Sequence, residues 1–192
     1  LKPAKNMDEM KSDMAGGAVV AGLLYALAAN HIPINAIGLI PITDNMPGPN
    51  SLLPGDIITM MNGKTVEVIN TDAEGRLILA DALCFAQKYD PSLVVSISTL
   101  TGAAHKALGH YVMAAMQSRA TVLLKTLEKI SIDTNERLVE FPLWDDYFDY
   151  IKSDIADIKN AGCDYAGAIT AGKFLEFFSN FPFIHIDIGG PA

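Results

Sequence analysis

Asp72, Glu74 and Arg76 alternate with small residues in the stretch VINTDAEGRLILADAL, which begins at Val68. Two carboxylates beside a guanidinium can do chemistry of two kinds. The carboxylates offer oxygen ligands to a divalent cation. The guanidinium can grip a planar oxyanion through two parallel N–H bonds. A commoner use is structural. Thr71-Asp72-Ala73-Glu74 fits the capping box, in which a hydroxyl and a carboxylate satisfy N–H groups at a helix start, and Asp72 could itself be the cap. Acids near a helix N-terminus are also favoured by its dipole. In that case Arg76 is only a solvated side chain. A second acidic cluster, MDEMKSDMAGG (7–17), weighs towards the cation. Asp8 and Glu9 read as first-turn acids facing solvent. Asp13 precedes a small-residue helix face that packing should bury, and a buried carboxylate needs a cation or hydrogen-bond donors. Asp13, Asp72 and Glu74 together could ligate Zn²⁺, Mn²⁺ or Mg²⁺.

The elements that must position these residues follow from periodicity. A helix is expected from about Asn6 to Asn30, its Gly16, Gly17 and Gly22 suited to close packing on a sheet. INAIGLIPI (34–42) has the continuous apolar pattern of a strand buried on both faces. Asn62-Gly63 between two strand-like runs predicts a hairpin. A helix is expected over 74–89, with Leu77, Leu79, Ala80, Leu83 and Cys84 as its apolar stripe. Strands are expected at 92–99, 111–117 and 183–188. Helices are expected in AAHKALG and near 119–131 and 166–179. Strands alternating with helices argue for an α/β fold: a three-layer sandwich with a mostly parallel or mixed central sheet covered by helices on both faces. Active sites of such folds collect at the carboxyl ends of strands.

Composition narrows the function. Half of the 192 residues are hydrophobic and 19% are charged, a globular composition rather than a disordered one. The formal charge of −8 and the lack of a basic patch argue against nucleic acid. Cys84 and Cys163 lie far apart and suggest free thiols in a reducing compartment. The sequence offers no uninterrupted apolar run of membrane-span length and no signal peptide. His105, His110 and His185 lack the spacing of a zinc helix motif and read as structural.

The stretch NTDAEGRLILADAL resembles the signature of the leucyl aminopeptidase family, the hexameric two-metal cytosol aminopeptidases. LKPAKNMDEMKSDMAGGA, NMPGPNSLLPGDII, STLTGAAHKALG, FPLWDDY, AGAITAGKFL and HIDIGGPA resemble further family segments, so the likeness covers nearly the whole chain. It implies an enzyme that removes an N-terminal leucine or other apolar residue from peptides with a free amine. It also implies two divalent metal ions, a cytoplasmic location and a homo-hexamer. By resemblance Asp13 is a ligand to one metal, Asp72 to the other, and Glu74 bridges both. Lys2 matches the lysine that polarises the scissile carbonyl, and Arg76 the arginine that holds bicarbonate. Met10, Thr99, Leu100 and Gly102 fall where the family contacts substrate.

The sequence departs from the family in places. The family supplies a further Lys and an Asp metal ligand from ahead of the position matched by Lys2, beyond the first residue here. Ser96 stands where many members carry Asp. The chain opens on Leu1 and closes on FPFIHIDIGGPA, as expected of a catalytic domain (1–192) truncated at both ends and lacking the family's N-terminal domain. The fragment alone is therefore expected to have impaired activity. The alternative is a non-catalytic scaffold or binding protein on the same fold. Such a scaffold should lose its carboxylates first, and Asp13, Asp72 and Glu74 are all present.

Overall fold

The computed structural model describes residues 7–44 and 46–192. Among these residues, strands β1 (Ile57–Thr59), β2 (Thr65–Glu67) and β6 (Ile158–Lys159) form one sheet in the order β1-β2-β6. Strands β3 (Val94–Ser98), β4 (Met113–Ser118), β5 (Leu138–Glu140) and β7 (Phe183–Asp187) form a second, in the order β3-β7-β4-β5. The helices are α1 (Ala15–Ala29), α2 (Gly75–Ala86), α3 (Gly102–Leu108), α4 (Thr121–Asp133) and α5 (Gly167–Phe177). Both sheets are mixed. β3 and β7 are parallel, with Ser96 beside His185 and Ser98 beside Asp187, while β4 runs antiparallel to β7. The α/β class is as expected, though the strands divide between two small sheets.

Helices cover the larger sheet on both faces. α2 carries Leu77, Ala80, Leu83 and Cys84 on one stripe, the spacing that lays a helix on a sheet. These residues pack with Phe174, Phe178 and Phe183, and with Val66 of the smaller sheet, so one core joins the two sheets. Each fully buried phenylalanine contributes about 2–3 kcal/mol by area. On the opposite face α4 sets Leu124 against Ala115 and Ile184. The hairpin forms with Ile57 beside Glu67 and Thr59 beside Thr65. Gly63 takes the positive φ (85°) that its turn requires, and the Asn62 side chain accepts the Lys64 N–H. Cys84 is buried and unpaired, and Cys163 is exposed.

Two expectations fail. The run at 34–42 forms no strand: Ile34, Ile37 and Ile42 are 60%, 59% and 86% exposed. It lies along α1, where a Cβ on Gly38 would meet Leu24 and Val20. Apolarity alone does not make a strand; a neighbouring edge must take its N–H and C=O groups, and no described strand pairs with this run. The first helix is also less buried than expected. Residues 7–14 wind as a 3₁₀ helix before α1, and of α1 only Gly16 is buried. Gly16 sits so close to β3 that a Cβ would lie 2.4 Å from the Ile97 carbonyl oxygen. Val19, Leu23 and Tyr25 face outwards. Met7–Ala29 forms a continuous helical stretch with the length and apolarity of a bilayer span. Asp8, Glu9, Lys11 and Asp13 hide that length in the sequence, and the seating of Gly16 on β3 is the geometry of a packed helix.

Candidate functional site

The segment before α2 is held by a residue that sequence reasoning missed. Asn160 follows β6, and its side chain is fully buried. Its Oδ1 accepts the N–H groups of Ile69 (2.8 Å) and Asn70 (3.2 Å), while its Nδ2 donates to the carbonyls of Asn70 (2.7 Å) and Ala73 (3.3 Å). Asn70 in turn accepts the Asp72 N–H. Nothing in a short polar strand end distinguishes this asparagine by sequence; its role arises from a contact some ninety positions away.

The capping alternative does not hold. α2 begins after Glu74, and no side chain caps it. The Leu77 and Ile78 N–H groups bond the Glu74 carbonyl instead. The Glu74 carboxylate is turned inwards, and its Oε2 is enclosed with no hydrogen-bond partner among the described residues. Arg76 also turns inwards, its Nε enclosed and unpartnered among the described residues. Burial pulls its guanidinium down to about 10, against the opposing pull of Asp187 and Glu74.

Beneath this turn lie the carboxyl ends of β3 and β7. Asp187 is fully buried. Its Oδ1 accepts N–H groups from Leu100 (3.2 Å), Thr101 (3.4 Å) and Gly189 (3.0 Å), and its Oδ2 accepts the Thr101 hydroxyl at 2.7 Å. Burial still raises its pKa, and those bonds oppose the rise. Thr101 caps α3 by accepting the Ala104 N–H. One carboxylate thus ties together the β3–α3 turn, the end of β7 and the charge of Arg76. An acid closing a buried apolar strand, as in FIHID, was a legible signal for it.

Asp13 differs from expectation: it is exposed. Thr99 donates its hydroxyl to the Asp13 carboxylate (2.8 Å) and lies 3.0 Å from the Asp13 carbonyl oxygen. The face behind it is not buried, so the premise of an enclosed acid fails, while the contact with the end of β3 holds. A cleft of about 390 Å³ opens there, lined by Glu9, Met10, Asp13, Thr99, Gly102 and Gly189 among others. Leu100 instead sends its side chain into the core beside Gly75. A cleft of about 430 Å³ lies over Lys173, Asp145 and Glu176, but the buried lysine already pairs with both acids there. His105 and His110 stack edge to face, and His110 bonds the Gly190 carbonyl. Lys2 lies outside the described residues.

Among the described residues no three His, Cys, Asp or Glu side chains gather closely enough to hold a cation by themselves. The enclosed Glu74 oxygen nevertheless fits one, because a carboxylate shut away from donors needs a positive partner.

Inward acids, an arginine and a neighbouring cleft lie towards the carboxyl ends of sheet strands, where α/β domains commonly carry their sites. The chain belongs to the cytosol aminopeptidase family, whose catalytic domain matches residues 1–192. It is 50% identical over its whole length to a probable cytosol aminopeptidase of Geobacter sulfurreducens, of which it spans 39%. It is 51% identical to one from Chlorobaculum tepidum, of which it spans 38%. Cytosol aminopeptidase from Coxiella burnetii superposes on 98% of the chain with a TM-score of 0.92 at 41% identity, the chain spanning 42% of that structure. A mutant tomato leucine aminopeptidase superposes on 96% with a TM-score of 0.85 at 36% identity, the chain spanning 37% of it.

Proposed function

We propose that the protein containing this chain is a two-metal aminopeptidase that releases an N-terminal residue, preferably leucine or another apolar one, from peptides. The observation that carries this is Glu74: an inward carboxylate oxygen without a donor among the described residues, two positions from Asp72 and coupled in charge to the buried Arg76. Asp13, Asp72 and Glu74 would hold divalent cations, zinc or manganese by resemblance, with donors from outside this chain. Cations bound there would supply Lewis acidity to the scissile carbonyl and to the attacking water. Lys2 would donate to the oxyanion that develops on attack. Arg76 would hold bicarbonate through its remaining N–H groups, in the planar two-oxygen grip that a guanidinium favours. The cleft beside Met10, Thr99 and Gly102 would take the first side chain of the peptide, and the Leu100 backbone would shape its wall. The names of the relatives favour a cytoplasmic location, and a homo-hexamer is the assembly that the family resemblance implies.

The test uses the full-length protein and a leucine anilide. Asp72→Ala should cut turnover at least about 100-fold, since losing a ligand strips the site, and chelation should do the same. Undiminished turnover in that variant at saturating chelator would overturn the metal-dependent reading, and a parent protein without turnover would favour the non-catalytic scaffold. The isolated 192-residue chain should bind Zn²⁺ or Mn²⁺ weakly and turn over poorly by comparison.

A further inference from the structure

The polar cluster under α2 contains more than this reaction uses. Enclosed without partners among the described residues are Glu74 Oε2, Arg76 Nε, Ser98 Oγ and His185 Nε2. Arg76 Nε–H can only donate, and the Glu74 oxygen of an ionised carboxylate can only accept. Asp187 offers Arg76 charge, but its Oδ1 already takes three N–H groups and its Oδ2 a hydroxyl. With Glu74 Oε2 given to a cation, as proposed above, the acceptors left for the Arg76 Nε–H among these enclosed atoms are His185 Nε2 and Ser98 Oγ.

His185 is fully buried and shares a β-sheet face with Asp187, two positions closer to the core. Its Nδ1 lies 3.3 Å from Ser96 Oγ, its neighbour in the β3–β7 register. The bond at one ring nitrogen fixes the role of the other. If Ser96 donated, Nε2 would carry the hydrogen and present a donor to a cationic neighbour. If Nδ1–H donates to Ser96, Nε2 presents a lone pair to that neighbour. The positive field of Arg76 selects the second arrangement. Burial, reinforced by Arg76, holds the imidazole neutral, at about 3.

We propose that His185 is a positioning residue for Arg76: as the Nδ1–H tautomer it donates to Ser96 Oγ and presents its Nε2 lone pair to the Arg76 Nε–H, directly or through one enclosed water. The guanidinium is then fixed by its Nε edge, and its terminal N–H groups keep one orientation towards an anion. Ser98 Oγ, which can donate or accept, supplies the further contact such a water needs. The catalytic consequence rests on the function proposed above; the tautomer does not.

Two measurements on the full-length protein test it. Solid-state NMR of ¹⁵N-histidine-labelled protein should show His185 protonated at Nδ1 and bare at Nε2, with Ser96→Ala producing a mixture. An Nε2–H tautomer in the parent would overturn the proposal. His185→Phe should lower kcat about 10–100-fold with KM and Tm little changed, and His185→Gln, which keeps an acceptor near Nε2, should recover most of it. Equal kcat in the two variants would also overturn it. If the Phe variant does not fold, the Nε2 signal decides alone. A parent protein without aminopeptidase turnover would sink the proposed function and leave the tautomer result standing.

Discussion

Replacing Asn160 with aspartate exchanges one NH₂ group for oxygen and leaves the shape of the side chain intact. The oxygen that accepts from Ile69 and Asn70 remains. The donor to the Asn70 and Ala73 carbonyls is lost, and an anionic oxygen faces two carbonyls at 2.7 and 3.3 Å. Two lost bonds cost about 1–3 kcal/mol. An uncompensated buried charge would add about 3–5 kcal/mol, so the carboxyl will stay protonated to higher pH in the folded state than its unfolded value of about 3.9. The sign follows from linkage: a folded-state pKa that is raised gives stability present below the unfolded value and lost as pH rises through the folded one. Once protonated, the acid can donate again, to one carbonyl. Asn160→Asp should therefore cost about 1 kcal/mol at pH 4 and roughly 3 kcal/mol or more at pH 7 relative to the parent. Paired urea unfolding curves at the two pH values measure this. Amide exchange at Ile69 and Asn70 should quicken at pH 7. A difference from the parent that is flat with pH, or below about 0.5 kcal/mol at pH 7, would refute Asn160 as the clamp of the Asp72–Glu74 segment.

Lys173 gives the converse pH test. Burial lowers its pKa, but hydrogen bonds to Asp145 and Glu176 outweigh that and hold it above the usual lysine range. The parent's advantage over Lys173→Met should thus be full at neutral pH and shrink once pH passes about 10.5; an advantage unchanged at pH 11 by thermal unfolding would contradict the pairing. Ile37→Lys, at a 59% exposed site, should alter the unfolding free energy of the 192-residue chain by less than about 0.5 kcal/mol and reduce its binding of a hydrophobic dye; a loss above about 2 kcal/mol would place Ile37 in a core.

What could be read in advance depended on how local the cause was. The hairpin register follows from Asn62 and Gly63, which set the turn without outside help. The stripe Leu77, Ala80, Leu83, Cys84 needs only the helical period. Asp72, Glu74 and Arg76 announced themselves by type and spacing, and the structure removes the capping explanation that competed with them. Asn160 and the Ser96–His185 pair act across long separations in sequence, and no local pattern marks them; Asp187 shows in the sequence only as the acid that closes FIHID, and its partners at Leu100 and Thr101 do not. β5 and β6 were missed for a related reason: they hold only three and two residues, too few for a period, and exist because β4 and β2 offer them an edge.

The failure at 34–42 runs the other way. Its pattern is strong and its prediction wrong, because apolarity reports that a segment should be covered, not what covers it. Here the run leans on α1, which is itself buried at Gly16 alone. Two apolar elements therefore turn outwards side by side, and contiguous exposed apolar surface of this kind marks an interaction face. The acids proposed as metal ligands show the same division. Asp72 and Glu74 are positioned from within the chain by Asn160, whereas Asp13 sits on the 3₁₀ turn leading into α1, tied to the sheet by Thr99 and by the close approach of Gly16. The half of the candidate site built on the buried core should accordingly keep its geometry in isolation, and the half built on α1 should depend on whatever covers that helix.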